Sequence, residues 1–407
     1  MYGITRGWVT AVRDGAIEGS LPGARIGARV RCAHGMRGRV IALSDTRVRI
    51  APLDSLDGCA VGDSLELSPG DERVVLGSAL LGRSCDSSGA PLDGGAAIQG
   101  ARSSFALQPP APNDRAPILQ PLWSGVRAID TLLTFGRGAR IGILGGAGVG
   151  KSTLLESIAL GASADAVIWA LIGERGREAE RAIERNDART TCIVATSAGR
   201  AAEWVLAAEF AMAHAMHLRA RGLHVLLLLD SLARYATALR ELAIVRGEGL
   251  GRGGWPPSVV PTLARWLECA GATRSGSISV VASVLAADAE DPLLEASSAL
   301  LDGHIVLSPE LAHAGRFPAI EILASTSRTM EGVVTPEHRL QAQRVRAALA
   351  ILEQSAQARA LGIFGGGAPL VAALEAEPML RALLEQSGEP EPPERSLSML
   401  AEVADRL

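Results

Sequence analysis

Lysine is almost missing from this chain: of its 40 lysine and arginine residues one, Lys151, is lysine, and every other cation is arginine. Arginine is a planar fork and lysine a compact point charge, so a site that needs the compact ammonium resists replacement. Cysteine is sparse. Cys32, Cys59, Cys85, Cys192 and Cys269 are odd in number and scattered, with no CxxC pair, which excludes a disulfide framework and a zinc site. Long apolar runs are also lacking, because stretches such as 225–229 fall far short of the roughly 20 residues that span a bilayer. Residues 1–10 hold Arg6 and Trp8 but no apolar core followed by a small-residue cleavage site, so no secretory signal is predicted and a cytoplasmic location is expected. Excess charge is missing too. A net charge of −4 argues against a dedicated nucleic-acid binder.

What is present fits a packed globular protein, with 48% hydrophobic and 21% charged residues. Its 407 residues exceed one ordinary core and predict two or three domains. Short β-prone runs at 9–12, 39–43, 47–51 and 64–67 alternate with Gly, Asp and Pro turns, which predicts a small N-terminal β-barrel over 1–76. That segment lacks the aromatic and basic interleaving of a single-strand nucleic-acid surface. The stretch 84–121 reads mainly as loop and linker within a second domain, 77–330. Strands expected at 139–144, 166–172, 191–195, 223–229, 277–285, 304–307 and 319–323 alternate there with helices at 151–160, 200–221 and 258–270. Such alternation predicts an α/β core, a mainly parallel sheet with helices on both faces. From Glu337 onward, within a third domain at 331–407, the chain reads as helical, with breaks at 365–367 and 390–393.

The chemistry centres on Gly145, Gly146, Ala147, Gly148, Val149, Gly150, Lys151 and Ser152, the sequence GGAGVGKS, followed by Thr153. It lies between an apolar run and a helical one, the setting of a phosphate-binding loop. Glycines let successive N–H groups curl toward phosphate oxygens, and the helix N-terminus adds a favourable dipole. Lys151 would reach the β and γ phosphates and Ser152 would ligate Mg²⁺. This accounts for the lone lysine. Two acids are expected at the same sheet edge: Asp230, ending HVLLLLD, as the metal-facing acid, and Glu174, following VIWALIG, as polariser of the attacking water. Arg175 beside it could contact the γ-phosphate. Taken alone, Asp230 also fits a turn or helix cap, and Glu174 a surface acid beside Glu178 and Glu180. His214 and His217 lack a partner acid at ligand spacing and read as ordinary helix residues.

The segments GGAGVGKST, ALIGERGRE, LLLLDSLARYATALRE, GGWPPSV, LLDGHIVLS and ILASTSRTM occur in the order found in hexameric ATPases related to rotary ATP synthase. Across nearly the whole chain the sequence most resembles the type III secretion and flagellar export branch, on DSLARY and the turn at Pro256, Pro257 and Ser258. The resemblance implies ATP and Mg²⁺ as ligands, the roles above for Lys151, Ser152, Glu174, Arg175 and Asp230, and a homohexamer with sites at its interfaces. Arg328 matches a position that reaches across the interface as an arginine finger. Phe317 matches an aromatic that stacks on adenine, with plain core packing as its other reading. Also implied as partners are a stator-like regulator, a central-stalk protein, an export gate and chaperone–substrate complexes, with no nucleic acid and at most a peripheral place on the inner membrane. The chain departs from the family's usual residues at Trp255 (usually tyrosine), at Thr329 (often valine or isoleucine) and in EASSAL at 295–300, which lacks an arginine. A rotary ion-translocating subunit, an RNA-translocating ring motor and a ring component that binds ATP without hydrolysis are the competing functions.

Overall fold

The computed structural model describes residues 6–45, 47–68, 73–104, 106–285, 299–361 and 367–407. Residues 295–298 of EASSAL and residues 365 and 366 of the expected glycine break lie outside them. The N-terminal strands β1 (Arg6–Arg13), β2 (Ala16–Ser20), β3 (Arg29–Cys32), β4 (Arg37–Ser44), β5 (Arg47–Pro52) and β6 (Ser64–Leu67) close a barrel in the order β1-β2-β5-β4-β3-β6. Alternation drives closure: Val9, Ile17, Val30, Val40, Ile50 and Leu65 point inward and form the barrel core. Sequence patterning did not single out β2 and β3, whose Gly19 and alternating arginines blur the period.

The segment after the barrel holds β7 (Val74–Val75), β8 (Ser84–Asp86) and β9 (Arg102–Ser103), with β7 and β9 paired as a ribbon. This corrects the linker assignment in part, because β8 pairs in parallel with a strand of the main sheet and forms its edge. Three residues are too few to show a period. Asp93 fixes them from outside by accepting from the Ser84 N–H (3.0 Å) and from Arg83 Nε (2.7 Å).

Beyond it come β10 (Pro121–Leu122), α1 (Arg127–Leu132), β11 (Phe135–Gly136), β12 (Arg140–Gly145), α2 (Lys151–Gly161), β13 (Ala166–Glu174), α3 (Gly176–Glu184), β14 (Thr190–Thr196), α4 (Ala201–Arg219), β15 (His224–Asp230), α5 (Leu232–Val245), α6 (Val259–Glu268), β16 (Gly271–Ala272), β17 (Ser277–Leu285), β18 (Gly303–Leu307), α7 (Pro309–His313) and β19 (Ile320–Ser327). The sheet runs β19-β18-β12-β17-β15-β13-β14-β8, parallel along this path except for β19, with the two-residue β16 pairing antiparallel to β17 off the path. Every residue of β13 and β15 is buried, as two covered faces require. One face packs on α4, α5 and α6, the other on α1, α2, α3 and the C-terminal helices. These follow as α8 (Met330–Val333), α9 (Pro336–Ala360), α10 (Ala368–Glu375), α11 (Glu377–Leu384) and α12 (Pro393–Ala404). No helix among the described residues is long and apolar enough to cross a membrane.

Candidate functional site

Strand β12 delivers its chain to the C-terminal edge of the sheet, where residues 146–150 turn into α2. The turn needs glycine at two points, Gly148 (φ 78°) and Gly150 (φ 98°), both left-handed. A Cβ on Gly146, Gly148 or Gly150 would meet nothing within 4 Å, so the loop borders open space on the side a ligand would take. Val149 is buried and pins the loop to the core, while Ala147 and Gly148 are exposed. Lys151 folds back: its Nζ donates to Gly145 O (2.9 Å) and Gly146 O (2.5 Å). Burial pulls its pKa below the ordinary lysine value, against Asp230 and Glu174, which raise it.

The acids arrive on neighbouring strands. Asp230 ends β15 and is only 4% exposed, and Ser152 Oγ donates to its Oδ2 (2.8 Å). From β17, the strand between β12 and β15, Ser283 Oγ donates to Asp230 Oδ1 (2.5 Å). Burial raises the Asp230 pKa above the usual carboxylate range, and the two serines and Lys151 oppose that. Glu174 ends β13, 8% exposed, and is pushed up to about 8 by burial, by a shared hydrogen bond with Glu178 and by Asp230, against the pull of Arg234. Arg234 Nε lies 3.0 Å from Glu174 Oε1, and its Nη1 donates to Gly173 O. A polar cleft of about 550 Å³ joins Gly148, Gly150, Lys151, Ser152, Thr153, Glu174, Arg175, Glu178, Asp230 and Arg234. Arg175 is exposed at its rim. The fold thus gathers an ammonium, three carboxyls and two guanidiniums around one loop. Ser152 and Asp230 offer the hard oxygens a small divalent cation takes. Among the described residues no cluster of three or more His, Cys, Asp or Glu side chains could hold a metal, so no all-protein metal cage is present there.

Beside the loop lies a second, apolar cavity of about 410 Å³, bordered by Val149, Gly150, Thr153, Leu307, Phe317 and, from the C-terminal helices, Gln386. Phe317 is 49% exposed there, which disagrees with plain core packing. The segment 385–391 is laid against this cavity by backbone and side-chain bonds: Gln386 N–H donates to Phe317 O (2.9 Å), Gln386 Nε2 to Gly125 O (2.8 Å), and Arg127 N–H to Gln386 Oε1 (2.8 Å).

Arg328 is not brought to this cleft. It follows β19, which is antiparallel to β18, so it stands at the opposite end of the strands; a six-residue strand separates the two edges by roughly 17–20 Å. It is exposed, with no side-chain partner among the described residues. Within one subunit it cannot meet the phosphate loop. Sequence reasoning assigned no role to Arg234, Ser283 and Gln386. Arg234 was legible in principle, four residues beyond Asp230 and one helical turn into α5; the other two are set by tertiary packing alone.

Comparison with known proteins adds the following. Residues 125–327 match the model of the ATP synthase alpha/beta family, nucleotide-binding domain. The chain is 41% identical to a type 3 secretion system ATPase of Sinorhizobium fredii, over 85% of this chain and 80% of that one. It is 38% identical to the flagellum-specific ATP synthase of Salmonella typhimurium, over 85% and 80% of the two chains. Among solved structures, the assembled ATPase EscN of the enteropathogenic E. coli type III secretion system superposes with a TM-score of 0.92 at 36% identity, over 98% of this chain and 100% of that one. EscN in complex with its central stalk EscO gives a TM-score of 0.90.

Proposed function

The chain belongs to the family of type III secretion and flagellar export ATPases, and on that premise we propose that it hydrolyses ATP as the ring motor of a protein export apparatus, releasing chaperones from substrates and helping to unfold them. The observation that carries this is the joining of Ser152 to Asp230 at 2.8 Å in a cleft that also holds Lys151 and Glu174. The secretion and flagellar names of the relatives favour it over a rotary ion-translocating subunit or an RNA-translocating motor.

In this reading residues 145–153 cradle the phosphates through their N–H groups. Lys151 leaves the Gly145 and Gly146 carbonyls for the β and γ oxygens. Ser152 and Asp230 would hold Mg²⁺, an ion that keeps several waters and phosphate oxygens of its own, and when bound it neutralises charge on the phosphates. Glu174 orients the attacking water, for which it must be ionised, against the burial that raises its pKa. Arg175 meets the γ-phosphate, and adenine enters the apolar cavity against Phe317. Arg328 enters the neighbouring subunit's cleft, a contribution worth about 10³ to 10⁵ in rate. Its distance from its own loop supports this, as does the assembled state of EscN.

The same proposal covers the homohexamer, a central-stalk partner like the one EscN meets, a stator-like regulator, an export gate and chaperone–substrate complexes, and a cytoplasmic place at the inner membrane. It also takes 1–76, 77–330 and 331–407 as the working domains. Glu174→Gln is expected to bind Mg-ATP as the parent does and to lose turnover by at least about 10². A steady-state phosphate-release assay checks this, and parental turnover would remove the role of Glu174.

A further inference from the structure

At the sheet edge opposite the phosphate loop, Arg328 stands next to an acid that it does not hold. The ladder that pairs Gly303 with Ser327 continues one step and sets Asp302 opposite Arg328, whose N–H donates to Asp302 O (2.9 Å). Directly opposed residues share a face, with Cβ atoms about 4.5–5.5 Å apart, so a carboxylate and a guanidinium there are within reach of each other. The backbone on either side is clamped: Ser327 Oγ donates to Thr134 O (2.8 Å), and Gly136 N–H donates to Thr329 Oγ1 (3.0 Å). Only the Arg328 side chain is left to choose a partner.

The Asp302 carboxylate is already engaged by Arg140, the first residue of β12. The Arg140 N–H donates to Oδ2 (2.9 Å), its Nε to Oδ2 (3.1 Å) and its Nη2 to Oδ1 (3.3 Å). We propose that Arg140 is a positioning residue that keeps Arg328 available to the neighbouring subunit, by occupying the acid opposite it that would otherwise capture that guanidinium within its own chain. This rests on the reading of Arg328 as a group given to the neighbour. The other acid in the cluster does not need Arg140 in the same way. Glu268 joins Arg140 Nη1 on one oxygen and Arg115 Nη2 on the other (2.6 Å), so it keeps a cation when Arg140 is removed. Asp302 keeps none among the described residues, and 286–298 contains no lysine or arginine to replace it. With a side chain only 26% exposed, Asp302 then gains most by pairing with the nearest guanidinium, because a half-buried carboxylate without a cation is poorly compensated.

Steady-state ATP hydrolysis by Arg140→Gln, Asp302→Asn, the double variant and Arg328→Ala, at a protein concentration where activity per subunit has levelled off, tests this. Arg140→Gln is expected to lose at least about tenfold in kcat with the KM for ATP unchanged, since the lost group acts across the interface. Asp302→Asn is expected near the parent, and the double variant within about threefold of it, because removing the captor frees Arg328 again. A double variant as slow as Arg140→Gln, a parental Arg140→Gln, or an Arg140→Gln that has lost its cooperative thermal transition would each overturn the inference. An active Arg328→Ala would instead overturn the reading of Arg328 itself.

Discussion

Glu174 carries the clearest electrostatic signature at the scale of single residues. Its pKa rises from an ordinary 4.5 to about 8 because burial, Glu178 and Asp230 together outweigh the Arg234 guanidinium. Between those two values the folded, nucleotide-free chain holds a proton that the unfolded chain has released. This contribution to stability is therefore full below the lower value and declines as pH rises to the upper one. Glu174→Gln removes the titration, so the variant is expected to gain on the parent progressively across that window and to level off above it. Chemical denaturation at a series of pH values reads the gap; a gap independent of pH would show that Glu174 is ionised in the empty site. Much of this site was legible from residue types: the glycine pattern, the lone lysine and two acids ending apolar runs located Lys151, Ser152, Glu174 and Asp230. The upward shift of Glu174 was not legible, since it depends on burial and on Glu178 and Asp230 outweighing Arg234, groups whose placement spacing alone does not fix.

Among the elements, the segment 385–391 shows where local pattern stops being informative. The prolines at 390, 392 and 393 predict a break between helices, and α11 does end at Leu384 with α12 starting at Pro393. That the break should wall the apolar cavity depends on Gln386 meeting Gly125 and Arg127, more than 250 residues away in sequence. The short β8 escaped for a related reason, as its place is fixed by Asp93 and by β14 and not by its own period. Gln386→Ala removes the amide and leaves the Arg127 N–H without its acceptor, at about 1–3 kcal/mol, while the Gly125 carbonyl keeps the Glu391 N–H (2.9 Å). ATP affinity, measured by titration with a fluorescent analogue, is expected to weaken severalfold while kcat at saturation stays near the parent, because the hydrolytic groups occupy the polar cleft. A fall in kcat with unchanged affinity would place 385–391 in catalysis instead of base binding.

For the molecule as a whole, the strand directions decide what one chain can do alone. The parallel strands carry the loop and acids to one edge, and the reversal of β19 carries Arg328 to the other. Sequence reasoning reached the α/β core, the barrel and the helical C-terminal region because each has its own period. The separation of Arg328 from its own cleft was not readable, since it follows from the pairing of β18 with β19. Specific activity is therefore expected to rise with protein concentration and then level off, and a flat, fully active dilution series would mean that a single chain suffices.

Complementation between two inactive variants tests the composite site most directly. Lys151→Ala keeps Arg328 but has no ammonium for its own phosphates, and Arg328→Ala keeps the loop but offers its neighbour nothing. Each alone is expected to hydrolyse ATP at least about 10² times more slowly than the parent, and a mixture of the two should recover activity as some interfaces pair an intact loop with an intact arginine. A mixture as inactive as its components, or an Arg328→Ala protein that is active by itself, would contradict the account.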